Sequence, residues 1–346
     1  MPDALADTAP GTPKVAPNAA PADRGPLLRA HRRRARLALA GLALAALVAA
    51  AISMTIGLRG NIAFALELRA VRLAALVQVA VAIAVSTVVF QTVTGNRILT
   101  PSIMGMDSLY LLVQSVLVLA LGAAGFSALP AGLTFAGEAA LMALLAAALF
   151  LPILRQRGDV VLMLLAGVVL GALFRGLSSL VARLIDPNTF AIVQSVSFAD
   201  FNTVDERLLL PCILLTLAGT ALIWRSRHVL DIMALGADDA VGLGVDWRRT
   251  AVGLVLVVGV LVAVSTALVG PVAFLGLLVV ALAERLAGTT RHAVLLPAAA
   301  LTGVVLLVGG QTVLAHVFGN ALTLGIVIEF AGGLLFLVLL LSSRLR

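Results

Sequence analysis

The sequence predicts an all-α, polytopic membrane protein of about ten transmembrane helices with both termini on the cytoplasmic side. Composition is the first reason: 61% of the 346 residues are hydrophobic and 12% are charged, where soluble domains are roughly half apolar, and the mean hydropathy is +1.12. Segmentation is the second. Apolar stretches near the roughly 20 residues a helix needs to cross a bilayer recur at 37–57, 71–94, 104–124, 133–153, 160–182, 207–225, 250–269, 294–312 and 322–342, with a shorter one at 274–286. Charge is the third. With the N-terminus inside, the cytoplasmic segments contain Arg97, Arg155, Arg157, Arg225, Arg227, Arg248, Arg249, Arg285, Arg291, Arg344 and Arg346, while the outer segments 125–132, 270–273 and 313–321 contain no arginine. That asymmetry is the positive-inside rule. Two outer segments depart from it, 59–72 and the polar stretch 183–207, where a short interfacial helix is expected.

Residues 1–36 read as a disordered basic N-terminal arm, rich in Pro, Ala and Asp before an arginine cluster. Seven basic residues against three acidic ones there leave +4 of the chain's net +7. The excess therefore belongs beside the first span and not to a nucleic-acid surface. An apolar run about twice the length of a signal peptide's follows, so it is expected to stay as the first span of a transmembrane domain covering 37–346.

Inside the spans, Gly167 and Gly171 form a G-x-x-x-G pair that allows close helix packing. Glu138 and Arg175 fall toward the outer ends of their segments, where they can reach headgroups or water. Glu329 lies deeper, about 12 Å into the last span, and either lines a path or pairs with a neighbour. Pro101, Pro211, Pro271 and Pro297 interrupt the apolar pattern. Because irregular backbone at membrane depth must be covered by protein or by a water-filled cavity, Gly270-Pro271 points to a broken or tightly turned helix pair near the outer surface.

The segment 225–249, RSRHVLDIMALGADDAVGLGVDWRR, is polar where its surroundings are not. Residues 229–235 suit a short helix stopped by Gly236, and Asp238 and Asp239 place negative charge at the start of a second, ended by Gly242 and Gly244. Such a segment (228–249) is either a docking platform for another protein or an ordinary solvated loop.

Several chemistries are excluded or left without residues. Cys212 stands alone, so there is no disulfide framework or cysteine metal site, and His31, His228, His292 and His316 lack metal-ligand spacing. Lys14 is the one lysine, so no G-x-x-x-x-G-K-[ST] loop exists to hold ATP. Any ATP-driven role needs a separate ATPase subunit. No paired carboxylates or nucleophile–base pair fall at one bilayer level to support a membrane enzyme.

At residues 88–110 the chain reads VVFQTVTGNRILTPSIMGMDSLY. Phe90, Gln91, Asn96, Pro101 and Gly105 resemble the signature of the iron-chelate and vitamin B12 (FecCD-type) permease family of ATP-binding-cassette importers. Leu235, Gly236, Ala240, Leu243 and Gly244 are similar to its coupling segment, and Gly270, Pro271, Phe274 and Gly276 to its GPIxFxGL motif. Gly325 with Gly332-Gly333 resembles its C-terminal span. The likeness covers about residues 40–342. RILTPSIMGMDSLY and FADFNTVD are closest to the ferric siderophore permeases. Two departures, Val280-Ala281 for the usual Pro-His and Leu334 for a proline, weaken a cobalamin or haem reading more than a siderophore one.

The resemblance implies a vitamin-B12-permease-like transport subunit of the bacterial cytoplasmic (inner) membrane, not an enzyme and without a cofactor of its own. It implies pairing with the same or a homologous chain, two ATPase subunits that hydrolyse ATP, and a periplasmic or lipid-anchored substrate-binding protein. The cargo implied is a ferric siderophore, with haem or cobalamin as the alternative. Asp238 and Asp239 would sit at the ATPase interface. Arg69 and Arg72, which stand where the family has R-x-P-R, would meet carboxylates of the binding protein. An ion-coupled secondary transporter is the rival class, with Glu329 as its candidate ion site.

Overall fold

The computed structural model describes residues 25–58, 61–155, 160–195, 197–319 and 323–343. The expected disordered arm up to residue 24, and Arg59, Arg157, Arg344 and Arg346, lie outside the described residues, as does the side chain of Arg155. Among the described residues all regular structure is helical. The chain runs α1 (Gly25–Thr55), α2 (Ile62–Thr94), a 3-10 turn (Pro101–Met104), α3 (Met106–Ser127), α4 (Ala131–Arg155), α5 (Val160–Ala182) and α6 (Pro187–Ser195). It continues with α7 (Glu206–Arg225), α8 (Arg227–Met233), α9 (Ala237–Gly242), α10 (Trp247–Val269), α11 (Leu275–Ala287), α12 (His292–Val317) and α13 (Leu324–Ser343).

Each expected apolar segment falls on one helix. Among the described residues eight helices are long and apolar enough to cross a membrane; α11, with 13 residues, is not, and α13 offers only a shorter apolar stretch, Leu324–Val338. The first helix starts at Gly25, within the stretch read as a disordered arm, so Arg33, Arg34 and Arg36 sit on a folded helix.

Helix α2 is the axle. Its 33 residues extend for about 50 Å, starting nine residues before the expected 71. Asn61 caps its start by accepting from the amide of Phe64, and Gly95 closes it with a left-handed φ of 62°. From Ala75 to Val93 the helix is buried nearly all round, as an all-apolar helix must be. Helices α7, α10, α11 and α12 pack around it, α1 covers α12, and α4 packs on α10. A second layer of α3 and α5 joins through α4 and the 3-10 turn.

Three polar bonds pin these layers at depth: Gln78 Nε2 to Thr216 Oγ1 at 2.8 Å, Gln114 Nε2 to Glu138 at 2.8 Å, and Ser115 to Ser178 at 2.9 Å. Glu138 is therefore not a headgroup anchor. It is 6% exposed, because α4 turns that side inward against α3. Arg175 likewise points at Ser108 Oγ, 2.9 Å away.

Among the described residues glycines interrupt the helices at Gly95 after α2 and as a kink at Gly122 (φ 66°) inside α3, and two further glycine breaks matter for the packing. At the end of the 3-10 turn Gly105 has φ 90°, and a Cβ there would lie 2.9 Å from the backbone of Gly171 and 3.3 Å from the carbonyl of Gly167. The G-x-x-x-G pair on α5 thus receives Gly105. The second break is Gly270, with φ 94°, between α10 and α11. At 1.5 Å per residue α11 covers about 20 Å, some 10 Å less than the hydrocarbon core. The break joins this short helix to α10, whose 23 residues extend about 35 Å.

What covers it is the stretch just after the expected interfacial helix, α6. Ala199 and Phe201 are buried at 1% and 2% exposure, and the amide of Asp200 donates to the carbonyl of Val269 at 2.8 Å. Gly270 and Gly325 both face the backbone of Ala199 closely enough that a Cβ at either would stand 3.0–3.3 Å from it.

Gly105→Ala is expected to lower the yield of folded protein and its melting temperature, because a positive φ costs a non-glycine residue about 1–3 kcal/mol and the Gly171 backbone cannot retreat. Gly333→Ala, with open space around it, is the control. Equal melting curves for the two variants in detergent would show that the close approach is absent.

Candidate functional site

The polar segment folds as two short helices joined by a glycine corner. Helix α8 stops at Met233, and Gly236 turns the chain with φ 113°. Helix α9 then ends in a Schellman pattern, the amide of Val245 donating to Ala240 at 3.0 Å and that of Gly244 to Val241 at 2.9 Å, with Gly244 at φ 85°. A left-handed residue in this place is what ends such a helix. Asp246 opens α10 by accepting from the amide of Arg249 at 3.1 Å.

The segment is anchored on one side only. Leu230, Met233 and Ala240 are at most 2% exposed, whereas Leu235, Val241 and Leu243 are each about 60% exposed. Asp238 and Asp239 lie exposed on the first turn of α9. A solvated loop has no need to hold three large aliphatic side chains outward on a folded frame. Apolar residues with charged neighbours on a rigid surface are the make-up of a protein contact.

Asp231 of α8 ties the platform to the bundle. Its Oδ1 accepts from both the backbone amide and Nδ1 of His292, each at 2.8 Å. His292 opens α12, and Arg291 before it offers no side-chain cap. Asp231 therefore supplies from another helix the carboxylate that the amides and dipole of a helix start favour, a contact worth about 1 kcal/mol. The far ring nitrogen of His292 lies 2.7 Å from Thr92 Oγ1, near the end of α2.

The family-like residues around the end of α2 make the adjoining surface. Phe90 is fully buried. Gln91 donates to the carbonyl of Arg97 at 2.7 Å, and Asn96 accepts from the amide of Ile98 at 3.0 Å, so both side chains shape the turn. Arg97 pairs with Glu284 of α11 at 3.1 Å. A polar cavity of about 110 Å³ lies between these ends, lined by Gln91, Thr92, Arg97, Ala234, Glu284 and His292 among others.

Pro101 starts the 3-10 turn that carries the chain to Gly105, and Thr100 next to it lies 3.4 Å from the carbonyl of Ala273. Pro271, Phe274 and Gly276 follow the break at Gly270. Gly276 leaves no room for a Cβ against Thr87 of α2, and Gly332 none against Phe274, whose ring lies 6.2 Å from that of Phe336. The two halves of the sequence pattern thus meet in space around one junction.

At the opposite end Arg69 and Arg72 lie inside α2, not in a loop. Arg69 donates to the carbonyls of Ser53, Met54 and Ile56 at 2.8–3.3 Å, satisfying the free end of α1. Both arginines line a polar cavity of about 240 Å³ with Ser53, Gln311, Thr312 and His316. The platform residues and the arginine pair are therefore brought to two separate faces.

Three polar residues, Asp107, Asp231 and Thr92, had no voice in the sequence reading, and His292 entered it only as one of four scattered histidines. Asp107, on the first turn of α3, is 8% exposed, beside Ser102 and within electrostatic reach of Glu329; its place two residues after Gly105 is the signal that marks it. Asp231, His292 and Thr92 carry no such local mark.

The FecCD transport family matches residues 57–342. A petrobactin import system permease protein of Bacillus subtilis (strain 168) is 41% identical over 286 residues, covering 82% of this chain and 91% of that one. A petrobactin import system permease protein of Bacillus anthracis is 30% identical over 277 residues, 80% of this chain and 78% of the relative. Among solved structures, a transporter described as a metal-chelate type ABC transporter in an inward-facing conformation superposes with a TM-score of 0.76 at 23% identity, over 88% of this chain and 99% of that one. The fold, the order of the motifs and these likenesses agree: the chain is a multi-pass membrane permease of the FecCD transport family.

Proposed function

We propose that this chain is the permease subunit of an ATP-binding-cassette importer that carries a ferric siderophore across the bacterial cytoplasmic membrane. The observation that carries the mechanism is the platform, a folded surface with Leu235, Val241 and Leu243 outward beside Asp238 and Asp239. It suits an ATPase subunit supplied from outside. Leu235, Gly236, Asp238, Asp239, Ala240, Leu243 and Gly244 are its coupling residues, some presenting the surface and the glycines and Ala240 fixing its shape.

In this reading the platform and both termini are cytoplasmic. Two permease chains, identical or homologous, enclose the path, and two ATPase subunits hydrolyse ATP beneath them. The permease binds no cofactor and does no covalent chemistry. A periplasmic or lipid-anchored binding protein delivers cargo at the other face, where Arg72 offers its guanidinium to a carboxylate while Arg69 also fastens α1. The cargo assignment is supported by the petrobactin relatives. Iron inside its chelate brings its own ligands, so the path has to recognise an organic shell rather than a bare cation.

Uptake of radioactive iron presented as a panel of siderophores, petrobactin included, should fall at least tenfold in iron-starved cells lacking the chain and should depend on ATP. Unchanged iron uptake with impaired haem or cobalamin uptake would transfer the proposal to that cargo. Sensitivity to a proton uncoupler without sensitivity to ATP depletion would overturn it in favour of an ion-coupled carrier using Glu329.

Two surface predictions follow from the geometry. Charge reversal at both Asp238 and Asp239 is expected to weaken ATPase copurification roughly tenfold, about 1.4 kcal/mol, with the permease still in the membrane; full copurification removes those residues from the interface. Arg72→Glu should weaken binding-protein association, whereas Arg69→Glu should also lower the melting temperature, since charge-assisted hydrogen bonds are worth about 1.5–3 kcal/mol. Identical behaviour of the two variants would contradict the separate roles.

A further inference from the structure

We infer that the hydrogen-bonded chain Asp231–His292–Thr92 transmits movement of the platform to the helices of the bundle, which makes His292 a positioning residue for transport. The inference rests on the reading of residues 228–249 as the ATPase platform. It goes beyond that reading by naming the contact through which the platform acts.

Geometry singles out this contact. Helix α8 has seven residues and is fastened by Leu230 and Met233 through apolar packing. Apolar contacts are non-directional, so they hold α8 in place without fixing its angle. The Asp231 carboxylate adds direction, because one oxygen takes both the first amide of α12 and the ring of the same residue. A sideways movement of α8 therefore has to break both bonds or pull the start of α12 with it.

The imidazole extends the link. His292 is 2% exposed and is held on both edges. Nδ1 faces Asp231, and the other ring nitrogen lies 2.7 Å from the Thr92 hydroxyl, which also donates to the carbonyl of Val88 at 2.8 Å. Thr92 is two residues from the end of α2, the most buried helix of the bundle. One rigid five-membered ring thus spans from the exposed platform to the central axle and to α12.

The neighbouring contacts leave room for movement. Gln91 holds the carbonyl of Arg97, and Arg97 reaches Glu284 at the end of α11, so α2 and α11 are joined on the other side of the 110 Å³ cavity. The Arg97 side chain is 68% exposed, and an exposed ion pair is weak. The His292 chain is the shielded, directional connection at this junction. It is suited to carry force while the solvated pair yields.

The test uses the assembled permease–ATPase complex in proteoliposomes, with binding protein and ferric petrobactin. Thr92→Val keeps volume and removes the hydroxyl; His292→Asn keeps a donor near the Nδ1 position and loses the reach to Thr92. Both are expected to retain ATPase copurification and ATP hydrolysis but to transport at least tenfold less iron per ATP. Thr92→Ser, which restores the hydroxyl, should recover wild-type coupling.

Unchanged iron transported per ATP in Thr92→Val and His292→Asn, with membrane levels and melting temperatures like wild type, would overturn the inference. Loss of ATPase copurification in those two variants would also overturn it, since the chain would then hold the docking surface rather than transmit from it. Failure of the platform reading shows separately, as full copurification after charge reversal at Asp238 and Asp239.

Discussion

Every amide and carbonyl placed in hydrocarbon must find a partner within the protein, and this single constraint accounts for most of what is unusual in the fold. A bundle of unbroken helices would satisfy it trivially. This chain interrupts its helices after Gly95, at Gly105 and at Gly270, and each interruption is met by a specific cover. Gln91 takes up the Arg97 carbonyl, the backbone of α5 lies against Gly105, and the amide of Asp200 takes the Val269 carbonyl. The glycines that permit the breaks are also the ones that let the covers come close. Side-chain bulk at Gly105 and Gly270 is costly for two independent reasons, the positive φ and the neighbouring backbone, whereas Gly95 has only the positive φ.

The same constraint explains where polar side chains go. Gln78 with Thr216, Gln114 with Glu138 and Arg175 with Ser108 are each bonds between different helices. In lipid there is little hydrophobic force between helices, so packing and such bonds set which faces meet. They link α2 to α7, α3 to α4 and α3 to α5. The two layers are thus held in register by a few directional contacts within a large surface of interchangeable Leu, Val and Ala.

What was legible in the sequence follows from how far each signal reaches along the chain. The platform was readable almost residue by residue, because Gly236, the Asp238-Asp239 pair and Gly244 act within one turn of where they stand. The ten apolar segments were readable for the same reason. Burial direction was not: α2 and α12 are apolar all round, so nothing in 71–94 showed that the helix starts at Ile62 or that Arg69 would reach back to α1. Glu138 read as a surface residue because its partner Gln114 is 24 positions away. His292 read as one scattered histidine, since Asp231 is 61 and Thr92 200 positions distant. The shortness of α11 was legible too, the apolar run at 274–286 matching Leu275–Ala287.

In the proposed mechanism these placements put directional contacts where movement is passed on and apolar contacts where surfaces slide. Around α8 and α9 the buried anchors are small or aliphatic, while the bonds with defined angles converge on one buried ring. Around the junction at Gly270, Phe274 sits against the glycine-bearing face of α13 and leans on Phe336, with Ala199 wedged between Gly270 and Gly325. A shift of α2 or α12 at the platform end reaches this junction through rigid helices, because Thr87 of α2 abuts Gly276 directly. In the proposed mechanism the platform and this junction are joined by stiff helices, so that a short helix turning at one end changes the packing at the other.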